Sequence, residues 1–249
     1  MKIKKITEKE LIEATKKFNE TEKKGSFYDL AINLHEKGLE IEAYLFLLAT
    51  WNAARFRYVK NTFDILEFKR KVAELDPNFG KLKNENLKHI DFNKYSNDIR
   101  EIYNVLSNIK GIEYTGASKI MHLKNREVFV MWDQYIKGSK YGKDADGYIS
   151  FLKDMQNMIS NVNIGKRSNI FVNKTLAKLI DEFNMVNITM PILKKKNSKK
   201  KEKEEKNKRL LNAFEKARGI WENYDEIDAI RKETKERWQE WQKELEKYA

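Results

Sequence analysis

The stretch IKGIEYTGASKIMHLKNREVFVMWDQYI, residues 109–136, reads as a tight connection, a helix, a short apolar run and an exposed acid in fixed succession. Gly111 and Gly116 bracket the connection, where the backbone turns sharply or comes close to another group. A helix is expected from about Ala117, with Ile120, Met121 and Leu123 partly at helical spacing. The polar break Lys124-Asn125-Arg126 then gives way to the apolar run from Val128 to Trp132. A carboxylate closing such a run has two readings. Asp133 is an N-cap for a helix beginning Gln134-Tyr135-Ile136, or it is a functional acid, and one side chain can fill both roles.

The segment resembles the helix-hairpin-helix DNA glycosylase superfamily, whose members carry a glycine-rich hairpin, a helix with an early alanine, and an aspartate about one helix and loop later. Ile109, Gly111, Ile112, Ala117, Asp133 and Ile136 fall on that pattern without a gap, over about thirty residues. The resemblance implies an all-α, glycosylase-like helical domain that binds DNA and excises a base, with Asp133 in the position of the catalytic aspartate. Two departures stand out. The hairpin's second glycine is Glu113, and the position of the Schiff-base lysine in strand-cleaving members is Thr115. Lys119, one helical turn further, is the nearby amine. The implied activity is therefore a monofunctional glycosylase, with Asp133 and Lys119 as candidate catalytic residues. The rival is a glycosylase-like fold kept as a nucleic-acid-binding or scaffolding module.

Chemically, losing a base from its sugar builds positive charge on the sugar, which a nearby carboxylate stabilises. The base must first leave the stack and enter a pocket with an apolar or aromatic wall. Trp51, His122, Trp132 and Tyr135 are the candidate lining residues. The hairpin residues Gly111, Glu113, Thr115 and Gly116 are candidates for contact with the nucleic-acid backbone, through amides at a helix start. Glu113 weakens such an anion site. The basic loop with Lys137, Lys140 and Lys143 either binds phosphate or is a solvated connection. Trp51-Asn52-Ala53-Ala54-Arg55-Phe56-Arg57-Tyr58 mixes arginines and aromatics. Arg55 and Arg57 there either hold phosphates beside a stacking platform or snorkel from the end of a core helix.

A formal net charge of +12 over 249 residues favours an anionic partner, for which duplex DNA with a damaged base is the first candidate. The absence of cysteine excludes disulfides, thiolate metal sites, iron–sulfur clusters and cysteine nucleophiles. His35, His89 and His122 are scattered without metal-ligand spacing, so neither metal nor cofactor is expected. No apolar stretch is long enough to span a bilayer and no signal-like apolar region follows the N-terminus, which reads as a cytoplasmic protein.

Only two prolines in the chain argue for helices with few sharp turns. Helices are expected over Thr7 to Phe18 with a Thr-x-x-Glu start, after Ser26, from Leu39 to Tyr58, from Tyr95 to Ile109, from Tyr148 to Val162 and from Asn173 to Phe183. Asp76-Pro77-Asn78-Phe79-Gly80 reads as a turn by composition. The helical domain is expected to cover residues 1–193. Residues 194–209, rich in lysine, follow as a basic linker or a solvated helix start. From Leu210 to Tyr248 apolar residues recur at three and four spacing, an amphipathic helix expected to fold back on the main domain or to pair with a second copy.

Overall fold

The computed structural model describes residues 5–22, 25–59, 61–162, 174–221, 235–241 and 243–244, and among them all regular structure is helical. The chain divides into two compact units, residues 1–192 and 193–249. In the first unit the helices are α1 (Glu8–Thr21), α2 (Gly25–Glu36), α3 (Glu40–Trp51), α4 (Ala53–Phe56), α5 (Ile65–Glu74) and α6 (Asp76–Lys81). They are followed by α7 (Ser96–Ser107), α8 (Glu113–Lys124), α9 (Gln134–Lys137), α10 (Ala145–Met158) and α11 (Leu176–Asn184). A wide π-helical turn, Met185–Thr189, joins α11 to α12 (Met190–Trp221).

Local chemistry explains several boundaries. The Thr7 hydroxyl accepts the Glu10 amide at 3.3 Å while the Glu10 carboxylate accepts the Thr7 amide at 2.8 Å, a reciprocal cap that starts α1. The segment expected as one helix from Leu39 to Tyr58 breaks at Asn52, which leaves helical geometry at φ −121°. Asp76 to Gly80 is helix rather than turn. Pro77 sits in the first helical turn, where its missing N–H costs nothing, and the Asn78 amide is bonded to Asp98 and Glu101 of α7.

Helix α8 starts at Glu113, earlier than Ala117. Every residue from Tyr114 to Leu123 is buried, so this helix is enclosed on all sides. It packs on α7 and α3. The approach is close at Gly116, where an added Cβ would lie 2.9 Å from Ile112 Cγ2 and 3.0 Å from Leu48 Cδ2. The run from Val128 to Trp132 is buried in the main core and leaves a turn at Val128 without forming helix or strand.

Residues 194–209 are helical and exposed throughout, so the run expected as a basic linker takes the form of a solvated helix. Of the expected C-terminal stripe, Leu210, Trp238 and Trp241 are exposed. The side chains of Phe214, Ala217 and Trp221, and Tyr224, Ile227, Leu245 and Tyr248 entirely, lie outside the described residues. Among the described residues no helix is long and apolar enough to cross a membrane.

Candidate functional site

Seven segments of the first unit converge on one partly open cavity of about 210 Å³. Helix α1 contributes Phe18 and its C-cap Glu22. The end of α3 contributes Thr50 and Trp51, and α8 contributes Lys119. The buried apolar run and the start of α9 supply Met131, Trp132, Asp133 and Ile136, while α11 and the π-turn supply Asp181 and Met185. Asp133 and Lys119, the two candidate catalytic residues, share this cavity with two of the four candidate lining residues, Trp51 and Trp132.

Asp133 is an N-cap as well as a cavity residue. Its Oδ1 accepts the Tyr135 amide at 2.7 Å and the Ile136 amide at 2.8 Å, while Oδ2 accepts the Thr189 hydroxyl at 2.8 Å. The carboxylate is thus fixed by the start of α9 on one side and by the π-turn on the other. Upstream, the Ser118 hydroxyl accepts the Trp132 amide at 3.3 Å, and Trp132 Nε1 donates to the Tyr114 carbonyl at 3.1 Å. The run ending in Asp133 is therefore fastened along α8, which carries Lys119.

Lys119 is 8% exposed, and its Nζ donates to the Trp51 carbonyl at 2.8 Å. Burial pushes its ammonium down to about 8, against the opposing pull of the Asp133 and Asp181 carboxylates. The cavity thus holds an amine that titrates near neutrality beside a fixed carboxylate.

The rear of the site is a buried charge cluster with no signal in the sequence. Lys178, 1% exposed, donates to Asp181 Oδ2 at 2.6 Å. Its ammonium lies 4.9 Å from the Phe18 ring centre, 4.6 Å from Tyr28 and 4.9 Å from Trp51. Glu182, also buried, is bonded by Lys174 at 2.7 Å. In sequence, Lys178 and Asp181 look like an ordinary i,i+3 surface pair on an amphipathic helix, and nothing there marks them as interior.

His122 takes a structural place away from the cavity. It is fully buried, and its two ring nitrogens lie 2.6 Å from the Phe129 carbonyl and 2.6 Å from the Tyr28 hydroxyl. The carbonyl can only accept, so Nδ1 carries the proton and Nε2 accepts from Tyr28. Burial holds the imidazole down to about 3, keeping it neutral. Tyr28 in turn stacks on Trp51, centroids 5.6 Å apart. His122 thus acts on the cavity only through that stack. Tyr135 is half-buried and does not line the cavity.

The expected nucleic-acid contacts separate into buried and exposed groups. Gly111, Thr115 and Gly116 are internal: Asn52 Nδ2 donates to the carbonyls of Gly111 at 3.1 Å and Ile112 at 3.2 Å, and the Thr115 hydroxyl donates to Asn52 Oδ1 at 3.0 Å. Glu113 is exposed, has a left-handed φ of +50°, and is ion-paired with Arg55. The Arg55 guanidinium also lies 4.8 Å from the Tyr114 ring centre. Arg57 donates to the Tyr58 hydroxyl at 2.7 Å, and Tyr58 is 74% exposed, so this pair stands on the surface. In the basic loop, Lys137 donates to the Gly138 and Tyr141 carbonyls, both at 2.7 Å. Lys140 pairs with Asp154, and Lys143 lies 5.7 Å from the Tyr114 ring centre.

Among the described residues no group of three or more His, Asp or Glu side chains is placed to hold a metal ion. No known family's sequence model matches the chain, and neither curated protein sequences nor solved structures give a match.

Proposed function

We propose that the protein is a base-excision DNA glycosylase of the helix-hairpin-helix kind, hydrolysing the bond between a damaged or mispaired base and its sugar without cutting the strand. The observation that carries this reading is the meeting of Asp133 and Lys119 in one aromatic-walled cavity. An extruded base enters between Phe18, Trp51 and Trp132. Asp133 stabilises the positive charge that develops on the sugar as the base departs, and it orients the attacking water. Lys119, as an ammonium titrating near 8, supplies the proton to the leaving base, since an acid of that strength is mostly protonated at neutral pH yet gives its proton up far more readily than an ordinary lysine. The formal charge of +12 supplies affinity for the phosphate backbone.

The test uses the full chain and oligonucleotides that each carry one uracil, oxidised guanine, alkylated adenine, hypoxanthine or mismatch, half of each sample being treated with hot alkali. Strand cleavage only after alkali supports monofunctional excision, and Asp133→Asn should abolish it. Full base release by that variant would overturn the assignment of Asp133. A covalent adduct trapped by borohydride and absent from Lys119→Gln would instead make Lys119 the nucleophile.

A second reading, a binding module without turnover, is favoured by one observation. The Glu113 carboxylate stands at the start of α8, where an anion would otherwise meet free amides, and takes Arg55 as its partner. Salt-sensitive DNA binding with no base release across the panel would support that reading.

A further inference from the structure

We propose, resting on the base-excision reading, that the cavity takes a purine of the guanine type, gripped through the two adjacent donors of its pairing edge by the Asp181 carboxylate. Of the three other charged side chains that line this wall, Asp133 has both oxygens bonded within the protein, Lys119 is a donor bonded to the Trp51 carbonyl, and Glu22 is only half-buried, at the C-cap of α1. Asp181 is 8% exposed and lines the cavity, and Lys178 holds its Oδ2 at 2.6 Å. Lys178 is itself confined by Phe18, Tyr28 and Trp51, so the orientation of the carboxylate is set from behind.

A carboxylate in an ion pair only accepts hydrogen bonds, and its two oxygens lie side by side. The base edge that complements it has two neighbouring N–H donors. Guanine and its oxidised forms have such an edge, a ring N–H beside an exocyclic amine. Adenine and cytosine set an amine beside a bare ring nitrogen, whose lone pair would face the carboxylate. Uracil and hypoxanthine offer a single ring N–H.

The experiment compares single-turnover base release by the full chain from duplexes carrying oxidised guanine, oxidised hypoxanthine, uracil or alkylated adenine. Oxidised hypoxanthine differs from oxidised guanine only by lacking the exocyclic amine. In parallel, the oxidised guanine and hypoxanthine nucleosides are titrated by tryptophan fluorescence, because Trp51 and Trp132 line the cavity. Removing the amine should slow release roughly 10- to 100-fold, as expected for losing one hydrogen bond to a charged group. Asp181→Asn should bring the two substrates within about threefold of each other, because Lys178 keeps the remaining amide oxygen and the base edge then meets an NH2 group in place of an acceptor. The wild-type comparison stands without the variant should Asp181→Asn fail to fold.

Equal release with and without the amine overturns the proposal, as does preferred release of uracil or alkylated adenine, and in both cases the excision reading survives. No release from any duplex, with tighter binding of the guanine nucleoside, keeps the base preference and overturns excision. No release and no nucleoside preference overturns both.

Discussion

Asn52 and Thr115, 63 residues apart, are joined by a 3.0 Å hydrogen bond between the Thr115 hydroxyl and Asn52 Oδ1. The same amide side chain donates to two carbonyls of the connection ahead of α8. One residue at the break between α3 and α4 therefore holds the entry to α8, and α8 carries Lys119. Thr115 is thus a buried anchoring point rather than part of the cavity.

Asn52→Ala strands two carbonyls and one hydroxyl in the interior. At about 1–3 kcal/mol for each buried group left unpaired, and with partial relaxation, a loss of about 2–4 kcal/mol is expected in urea unfolding. Loss below about 1 kcal/mol would mean that water replaces the side chain without cost.

At Asp133 the cap and the chemistry separate by substitution. Asp133→Asn keeps an oxygen for the Tyr135 and Ile136 amides, so stability should change little while base release is lost. Asp133→Ala should lose base release and about 1 kcal/mol of stability in addition. Equal stability of the two variants would show that the cap contributes nothing.

Lys119 binds its proton less tightly in the folded chain, about 8, than an ordinary lysine at 10.5. Between those values the unfolded chain holds more protons, so folding stability rises with pH through that window. The cost of burying the ammonium is present in full below it. Relative to Lys119→Met, the wild type should gain about 3 kcal/mol across the window, at about 1.4 kcal/mol per unit. Base release should fall over the same rise in pH as the proton donor is lost. A rate flat through that range would remove Lys119 from the proposed proton transfer.

Gly111 has a φ of +89°, and an added Cβ would lie 2.1 Å from Val59 Cγ2. Gly111→Ala should destabilise by about 2–4 kcal/mol through left-handed strain and overpacking together. Adding Val59→Ala should recover the overpacking part only, which thermal unfolding of the single and double variants can read. Full recovery would show that backbone strain plays no part.

On the surface, Arg57 and Tyr58 stand together without a carboxylate partner among the described residues, whereas Arg55 is ion-paired with Glu113. Arg57→Gln should weaken DNA binding evenly across sequences and reduce the slope of log affinity against log salt by about 1. An unchanged slope would place the DNA path elsewhere.

Asp133 was legible because a cap and an exposed acid share one local signature, an acid after an apolar run and before a helix. The all-helical class was legible for a similar reason, since two prolines and long apolar periodicities leave few alternatives. Pro77 misled as a turn signal because proline suits a first helical turn equally well. His122 pointed to a pocket only because an imidazole on an apolar helix carries no mark of its partner, which is Tyr28, 94 residues earlier.

What the sequence by itself determined is the local order: the turn at Gly111, a helix after it, the cap at Asp133 and the basic, solvated run after residue 193. These follow from backbone sterics, side-chain period and charge, all of which act over a few residues. Only the tertiary structure decided that Lys119 faces Trp51 and Asp133, that Asn52 breaks a helix to hold a distant connection, and that Lys178 and Asp181 are interior. Those outcomes depend on desolvation and hydrogen-bond partners brought from distant parts of the chain, and a charged residue carries the same letter whether it ends in water or in a cavity wall.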